Sequence, residues 1–262
     1  MTSAVGAGNN DDKKISSAKK QQWVLENGLE KEVDVSPAEG QWGVRHFQAF
    51  LFFLGMFIAY GHRVCFSIAI LGMEEDFGWL SREKSMMLSA FFWGYVLTQV
   101  PAGQLAGRWS ARKILVIGML LCGVATAAIP WFVTADRPWV VLLARFLMGF
   151  GQGAVLPGIH TLLAKWVPKG ERARLGSFAY SGGQLGTVVA MPISAQLSTT
   201  PIGWAAVFYF YGALCALWAL LFQLCGSDGP QVHPRIGDVE RLYILNNTDG
   251  ASNGSSNAEV SR

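Results

Sequence analysis

The chain has 262 residues, 21 Lys+Arg against 18 Asp+Glu, and is 51% hydrophobic but only 15% charged. Soluble domains carry about 25% charged residues, so this shortage of charge, with a mean hydropathy of +0.30, excludes an ordinary soluble domain. The net charge of +3 comes from dispersed basic residues, which excludes a nucleic-acid-binding stripe.

Residues 1–45 hold six Lys/Arg and seven Asp/Glu, and charge then almost vanishes over long windows. A polar tail followed by membrane spans has this pattern. The first apolar run starts near residue 46, so no secretory leader is expected. Residues 1–45 are expected to form a disordered cytoplasmic tail, too poor in apolar side chains to bury a core.

Six stretches approach the roughly 20 apolar residues that cross a bilayer as a helix: 46–72, 86–107, 113–133, 139–167, 174–198 and 203–225. The expected fold is an all-α membrane protein, a six-helix transmembrane domain over 46–226, with a polar cytoplasmic tail over 227–262. Polar residues make the first, fourth and fifth spans hardest to recognise by hydropathy. Trp42, Trp79, Trp109, Trp131, Trp139, Trp166 and Trp204 fall near span ends, where amphipathic rings sit at the interface. Trp93 and Trp218 are mid-span and read as packing residues. Cys65, Cys122, Cys215 and Cys225 lie in or beside apolar spans without CxxC spacing, so they read as small apolar residues, with no disulfide or metal role.

Sixteen Lys/Arg fall on one side of this topology and three (Arg82, Lys84, Arg137) on the other. The positive-inside rule places both termini in the cytoplasm. The sequons at Asn246 and Asn253 would then stay unglycosylated.

Arg63 and Arg145 are the two basic residues inside spans. Arg63 stands about 24 Å along a span entered from the cytoplasm, and Arg145 near the start of one entered from the other side. Both land in the non-cytoplasmic half. All acidic residues lie in tails, loops or span ends, so neither arginine has an obvious intramembrane counter-ion. Burying a guanidinium costs several kcal/mol unless it finds water or an anion, and the group matches carboxylate or phosphate bidentately. The pair points to a wet cavity for an anion; the competing reading is that each arginine snorkels or bonds helix carbonyls. His62 and His160 carry a weaker signal, a packing role competing with gating or proton transfer.

Three GxxxG motifs, "GQLAG" (103–107), "GFGQG" (149–153) and "GGQLG" (182–186), suit close helix packing. "GFGQG" follows no strand and does not form a phosphate loop. Pro157 and Pro192 can bend their helices. No GxSG elbow, HExxH or intramembrane aspartate pair is present, so no catalytic residue, metal site or cofactor is expected.

"GQLAGRWSARK" (103–113) resembles the loop joining the second and third helices of the major facilitator superfamily, except that Gly107 stands where the pattern has aspartate. "ARFLMGFGQGAVLP" (144–157) resembles its fourth-helix arginine–glycine motif, and "PKGERAR" (168–174) the loop that follows. "HRVCFSIAI", "LSAFFWGYVLTQVPAGQLAG", "GAVLPGIHTLLAKWVPKGERAR", "GGQLGTVVAMPIS" and "HPRI" with "YIL" resemble the anion:cation symporter family. That family includes sialin, the vesicular glutamate and nucleotide transporters and the sodium–phosphate cotransporters. The resemblance covers about residues 45–245.

The resemblance implies an anion site at Arg63 and Arg145 with His160, and Tyr95 and Gln184 lining the same cavity. It implies cytoplasmic gating by Arg108, Arg112, Glu171 and Arg172. Two fourth-helix glutamates tied to proton coupling in sialin-like members align with Met148 and Gln152, which leaves the coupling ion, H+ or Na+, open. It further implies twelve helices in two rocking halves, of which this chain matches the N-terminal half. Three readings follow: part of a secondary active transporter for a small organic or inorganic anion; a half-size protein that works as a homodimer; or a non-transporting subunit that pairs with and regulates a full-length relative. The expected partners are a small anionic substrate, the lipid bilayer and a homodimer mate or C-terminal-half partner.

Overall fold

The computed structural model describes residues 42–134 and 137–248. The tail expected over 1–45 therefore lies, up to residue 41, outside the described residues, as do residues 249–262 with Asn253.

Helix α1 (Val44–Phe77) stops at Gly78, whose φ of 64° is left-handed and whose N–H closes back on the Glu74 carbonyl. Only glycine takes this conformation without a steric cost. Helix α2 (Ser81–Arg108) follows, then α3 (Ala111–Phe132), whose N-cap Ser110 accepts from the Lys113 N–H. Proline at its first position starts α4 (Pro138–Gln152). Helix α5 covers Val155–Trp166, α6 Arg172–Ser198, α7 Trp204–Cys225 and α8 Asp238–Asn247.

The fourth expected span, 139–167, is two helices. Pro157 has no N–H to offer the Gly153 carbonyl, and α4 and α5 meet at Gly153–Ala154. Pro192, by contrast, sits inside the continuous α6.

Among the described residues, four stretches are long and apolar enough to cross a membrane: α1, α3, α4–α5 and α7. Helices α2 and α6 are as long but more polar. The sequence reading put the difficulty at the first, fourth and fifth spans. Of these only the fifth, α6, falls short, and α2 joins it. A lone arginine barely dilutes the apolar windows of α1 and α4, whereas α2 opens on "SREKS" and α6 is rich in Gly, Ser, Thr and Gln.

The helices pair at small residues. α6 lies along α1 so closely that a Cβ on Gly182 or Gly186 would collide with the carbonyls of Phe53 and Phe57. α4 lies along α2 with Gly149 and Gly153 against the carbonyls of Phe91 and Tyr95. Two of the three GxxxG motifs thus set helix spacing. In the third, Gly103 meets only the Pro157 side chain and Gly107 faces open space.

The core forms two clusters along the bundle. One gathers Phe52, Leu115, Trp166, Trp218 and Phe222, the other Phe66, Phe91, Met148 and Phe208. Cys65, Cys122 and Cys215 are buried free thiols and Cys225 is half-buried. Trp218 packs as expected, stacked on Phe222 at 4.8 Å. Trp93 does not: it is half exposed on the outside of α2. Among the span-end tryptophans, Trp79 and Trp166 are buried, while Trp42, Trp109, Trp131 and Trp139 are exposed.

Residues 227–248, expected to begin a polar tail, fold back on the helix ends. The Trp166 indole donates to the Ser227 carbonyl at 2.9 Å, and α8 reaches the start of α1 through Glu240.

Candidate functional site

Arg145 projects from α4 into the bundle and is only 2% exposed. Its Nε and Nη1 are buried and have no hydrogen-bond partner. Two rings flank it: its guanidinium carbon lies 4.3 Å from the centre of Phe66 and 4.9 Å from that of Phe91. Arg63, half-buried on α1, stands 5.1 Å from Phe91, 4.6 Å from Phe92 and 5.5 Å from Tyr95. Cation–π contacts hold a cation by its face and leave its in-plane N–H donors free. Among the described residues neither arginine forms an ion pair.

Phe91 is the shared element, and it was not singled out from the sequence. It precedes Tyr95 by four residues and therefore lies on the same face of α2, a signal sufficient to find it. Phe66 likewise stands three residues after Arg63. Tyr95 stacks on Phe91 with ring centres 6.0 Å apart.

Behind the arginines lies a closed polar chain. Gln152 Nε2 donates to the Ala59 carbonyl at 2.6 Å and to His62 Nδ1 at 3.0 Å. The other ring nitrogen of His62 therefore carries the proton and donates to Thr126 Oγ1. Thr126 in turn donates to the Cys122 carbonyl at 2.6 Å. His62 is fully buried. It is a satisfied neutral packing residue joining α1, α3 and α4.

The remaining expected site residues lie elsewhere. His160 is exposed on α5, where its Nδ1 pairs with the Tyr180 hydroxyl at 2.7 Å. Gln184 is exposed on α6. The geometry brings Arg63, Arg145 and Tyr95 together, and among the described residues no hydrogen bond or ring contact joins His160 or Gln184 to them.

The expected gating residues lie toward one end of the bundle, and one of them, Glu171, is paired with Arg45, a residue expected in the N-terminal tail. Arg45 is 1% exposed. It bonds Glu171 at 2.8 Å and Glu240 at 3.1 Å. The same Glu240 carboxylate caps α1 by accepting from Val44 N and Arg45 N, and Tyr243 donates to Glu171. Burial works against ionisation of Glu171, but the hydrogen bond and charge of Arg45 outweigh it and hold the carboxyl below its ordinary 4.5.

Asp228 serves α3 in the same way, accepting from Ser110 Oγ at 2.5 Å and from Arg112 N at 2.9 Å. The Arg112 guanidinium donates to the Gln223 carbonyl, and Arg172 reaches the Ala164 carbonyl at 3.5 Å. Arg108 ends α2 and is exposed. At the far end of the bundle, Lys84 pairs with Glu74 at 2.5 Å and Trp204 donates to Asp76 at 2.6 Å.

Residues 52–252 match the model of the Major Facilitator Superfamily. The chain belongs to that superfamily. Human sialin is 33% identical over 234 residues, covering 77% of this chain and 46% of sialin. The chloroplastic ascorbate transporter of Arabidopsis thaliana is 36% identical over 183 residues, covering 70% of this chain and 34% of that protein. A solved structure, a bacterial homologue of the human lysosomal transporter Spinster in an inward-facing, occupied conformation, superimposes with a TM-score of 0.62 at 18% identity. It covers 75% of this chain and 47% of that one. The chain is thus a multi-pass, all-α superfamily member that spans less than half the length of these relatives.

Proposed function

We propose that this chain is the N-terminal six-helix half of a secondary active transporter for a small organic or inorganic anion, working by alternating access. Helices α1, α2, α3, α4–α5, α6 and α7 are its six spans, and Arg63 and Arg145 hold the anion. The observation that carries this reading is the orphaned pair of Arg145 donors, Nε and Nη1, buried and, among the described residues, in no ion pair. Phe66, Phe91, Phe92 and Tyr95 keep both guanidinium planes in place, so the sites left for an incoming anion are N–H groups rather than ring faces. Relatives named as sialin and as an ascorbate transporter support an anionic substrate. His160 with Tyr180, and Gln184, line the cavity farther from the arginines.

The end carrying Arg45, Arg112, Glu171, Arg172 and Asp228 faces the cytoplasm in this reading, consistent with its excess of Lys and Arg. Arg108, Arg112, Glu171 and Arg172 gate that side. Because Asp228 and Glu240 hold the ends of α3 and α1, they supply the carboxylates that Gly107 does not. Met148 and Gln152 offer no carboxylate for a sialin-like proton route, which favours Na+-driven, potential-driven or exchange transport.

Substrate sites of this architecture lie between two halves, so transport needs a facing half: a C-terminal-half partner or a second copy. Reconstituting the purified chain in liposomes and measuring uptake of labelled glutamate, sialate, ascorbate and phosphate tests the reading. Uptake lost in Arg63→Ala supports a homodimeric transporter. Anion binding without uptake supports a half that needs its partner. Failure to bind any of the four anions, together with co-purification of a full-length relative, supports the regulatory subunit instead.

A further inference from the structure

The outer face of α2, α3 and α4 carries a groove of about 560 Å³. Pro101, Leu105, Ile117 and Phe150 give it an apolar lining, and Trp109 and Lys113 stand at its end. Along α3 it runs from Ser110 to Leu121, about 16 Å at the helical rise. That is close to one hydrocarbon leaflet, half of a core about 30 Å thick. Lys113 is exposed and forms no ion pair among the described residues. The acidic group at this helix end, Asp228, is already engaged by Ser110 and Arg112. Arg108 adds a second exposed cation beside Trp109.

We infer that this groove is a binding site for an anionic phospholipid, its headgroup phosphate on Lys113 and one acyl chain along Ile117 and Phe150. Three features select this occupant. The groove is one leaflet long, it is apolar along its length, and its cations and its exposed tryptophan sit together at the level where headgroups lie. A basic pocket between transmembrane helices on the cytoplasmic side is suited to anionic headgroups. The inference rests on the proposed orientation only in assigning that leaflet to the cytoplasm. A zwitterionic lipid offers the same phosphate but no net negative charge to Lys113 and Arg108, and a second protein helix would bury those charges against an apolar surface.

Native mass spectrometry of the purified full chain, released from detergent containing phosphatidylserine, phosphatidylcholine or the tail-free glycerophosphoserine, tests it without reference to sidedness or to anion transport. The expected result is retention of phosphatidylserine at least fivefold over phosphatidylcholine and none of the tail-free headgroup. Lys113→Gln should erase the preference for phosphatidylserine. Ile117→Trp, at a surface position 65% exposed and so tolerated by the fold, should block retention of the lipid altogether. Equal retention of both lipids, binding of the headgroup alone, or a lipid-free dimer that Ile117→Trp dissociates would each overturn the inference.

Discussion

Gln152 and His62 are joined by a hydrogen bond of 3.0 Å in the buried centre of the bundle, and the amide, as donor, fixes which ring nitrogen is protonated. His62 in turn donates its own ring N–H to Thr126 Oγ1. The two residues therefore tie α1 to α4 and α3, and they do so without a charge. An unsatisfied buried acceptor or donor costs about 1–3 kcal/mol. Gln152→Leu and Thr126→Val should each destabilise the protein by roughly that amount. The double variant should cost less than the two single effects combined, because one network is being broken twice. Thermal unfolding in detergent of the four proteins in the cycle checks this; strict additivity would separate the two contacts.

The α2–α4 contact supports the site through backbone. A methyl group on Gly149 would strike the Phe91 carbonyl. Gly149→Ala should therefore push Phe91 away from both arginines, destabilise by about 1–3 kcal/mol and weaken anion binding. Gly107→Ala, where nothing lies within 4 Å, should instead stabilise α2 by up to about 1 kcal/mol. Melting temperatures of the two variants should move in opposite directions.

The cluster at the other end predicts a pH dependence. Glu171 has a depressed pKa, so its contribution is fully present above the ordinary value of 4.5 and is lost as pH falls through the lower folded value. The melting temperature should hold above pH 5 and drop below about 4.5. In Glu171→Gln it should start lower, since buried Arg45 loses the Glu171 carboxylate, and the acid limb should flatten. Breaking a buried pair from one side costs about 3–5 kcal/mol; the 20% exposure of the Glu171 side chain places this variant at or below the lower end. An unchanged acid limb in the variant would assign the pH dependence to other carboxylates.

The stretches that became α1, α3, α4–α5 and α7 were legible because bilayer thickness imposes a length and composition that local sequence displays. The break at Gly153–Ala154 was half legible, through Pro157. Trp93 and Trp218 show the limit: both are mid-span, yet one faces out and the other packs on Phe222, because composition does not tell the bundle side of a helix from its lipid side. The end cluster was hidden for another reason. Glu240 caps α1 from 196 positions away and Asp228 caps α3 from 116, and no local pattern announces such a contact. Arg45 looked like tail charge because its partners are remote in sequence. Arg63 and Arg145 were legible as charges out of place, while Phe91, the ring they share, needed only the four-residue spacing from Tyr95.

Equilibrium binding of the four anions to the purified chain, with Arg63→Ala and Arg145→Ala alongside, tests the central claim most directly. At least one anion should bind the native chain, and each alanine variant should weaken it tenfold or more, at least about 1.4 kcal/mol. Arg145→Lys should recover only part of the loss, since an ammonium does not reproduce the planar donor pair. Native affinity in both alanine variants, or no binding of any of the four anions to the native chain, would contradict the account.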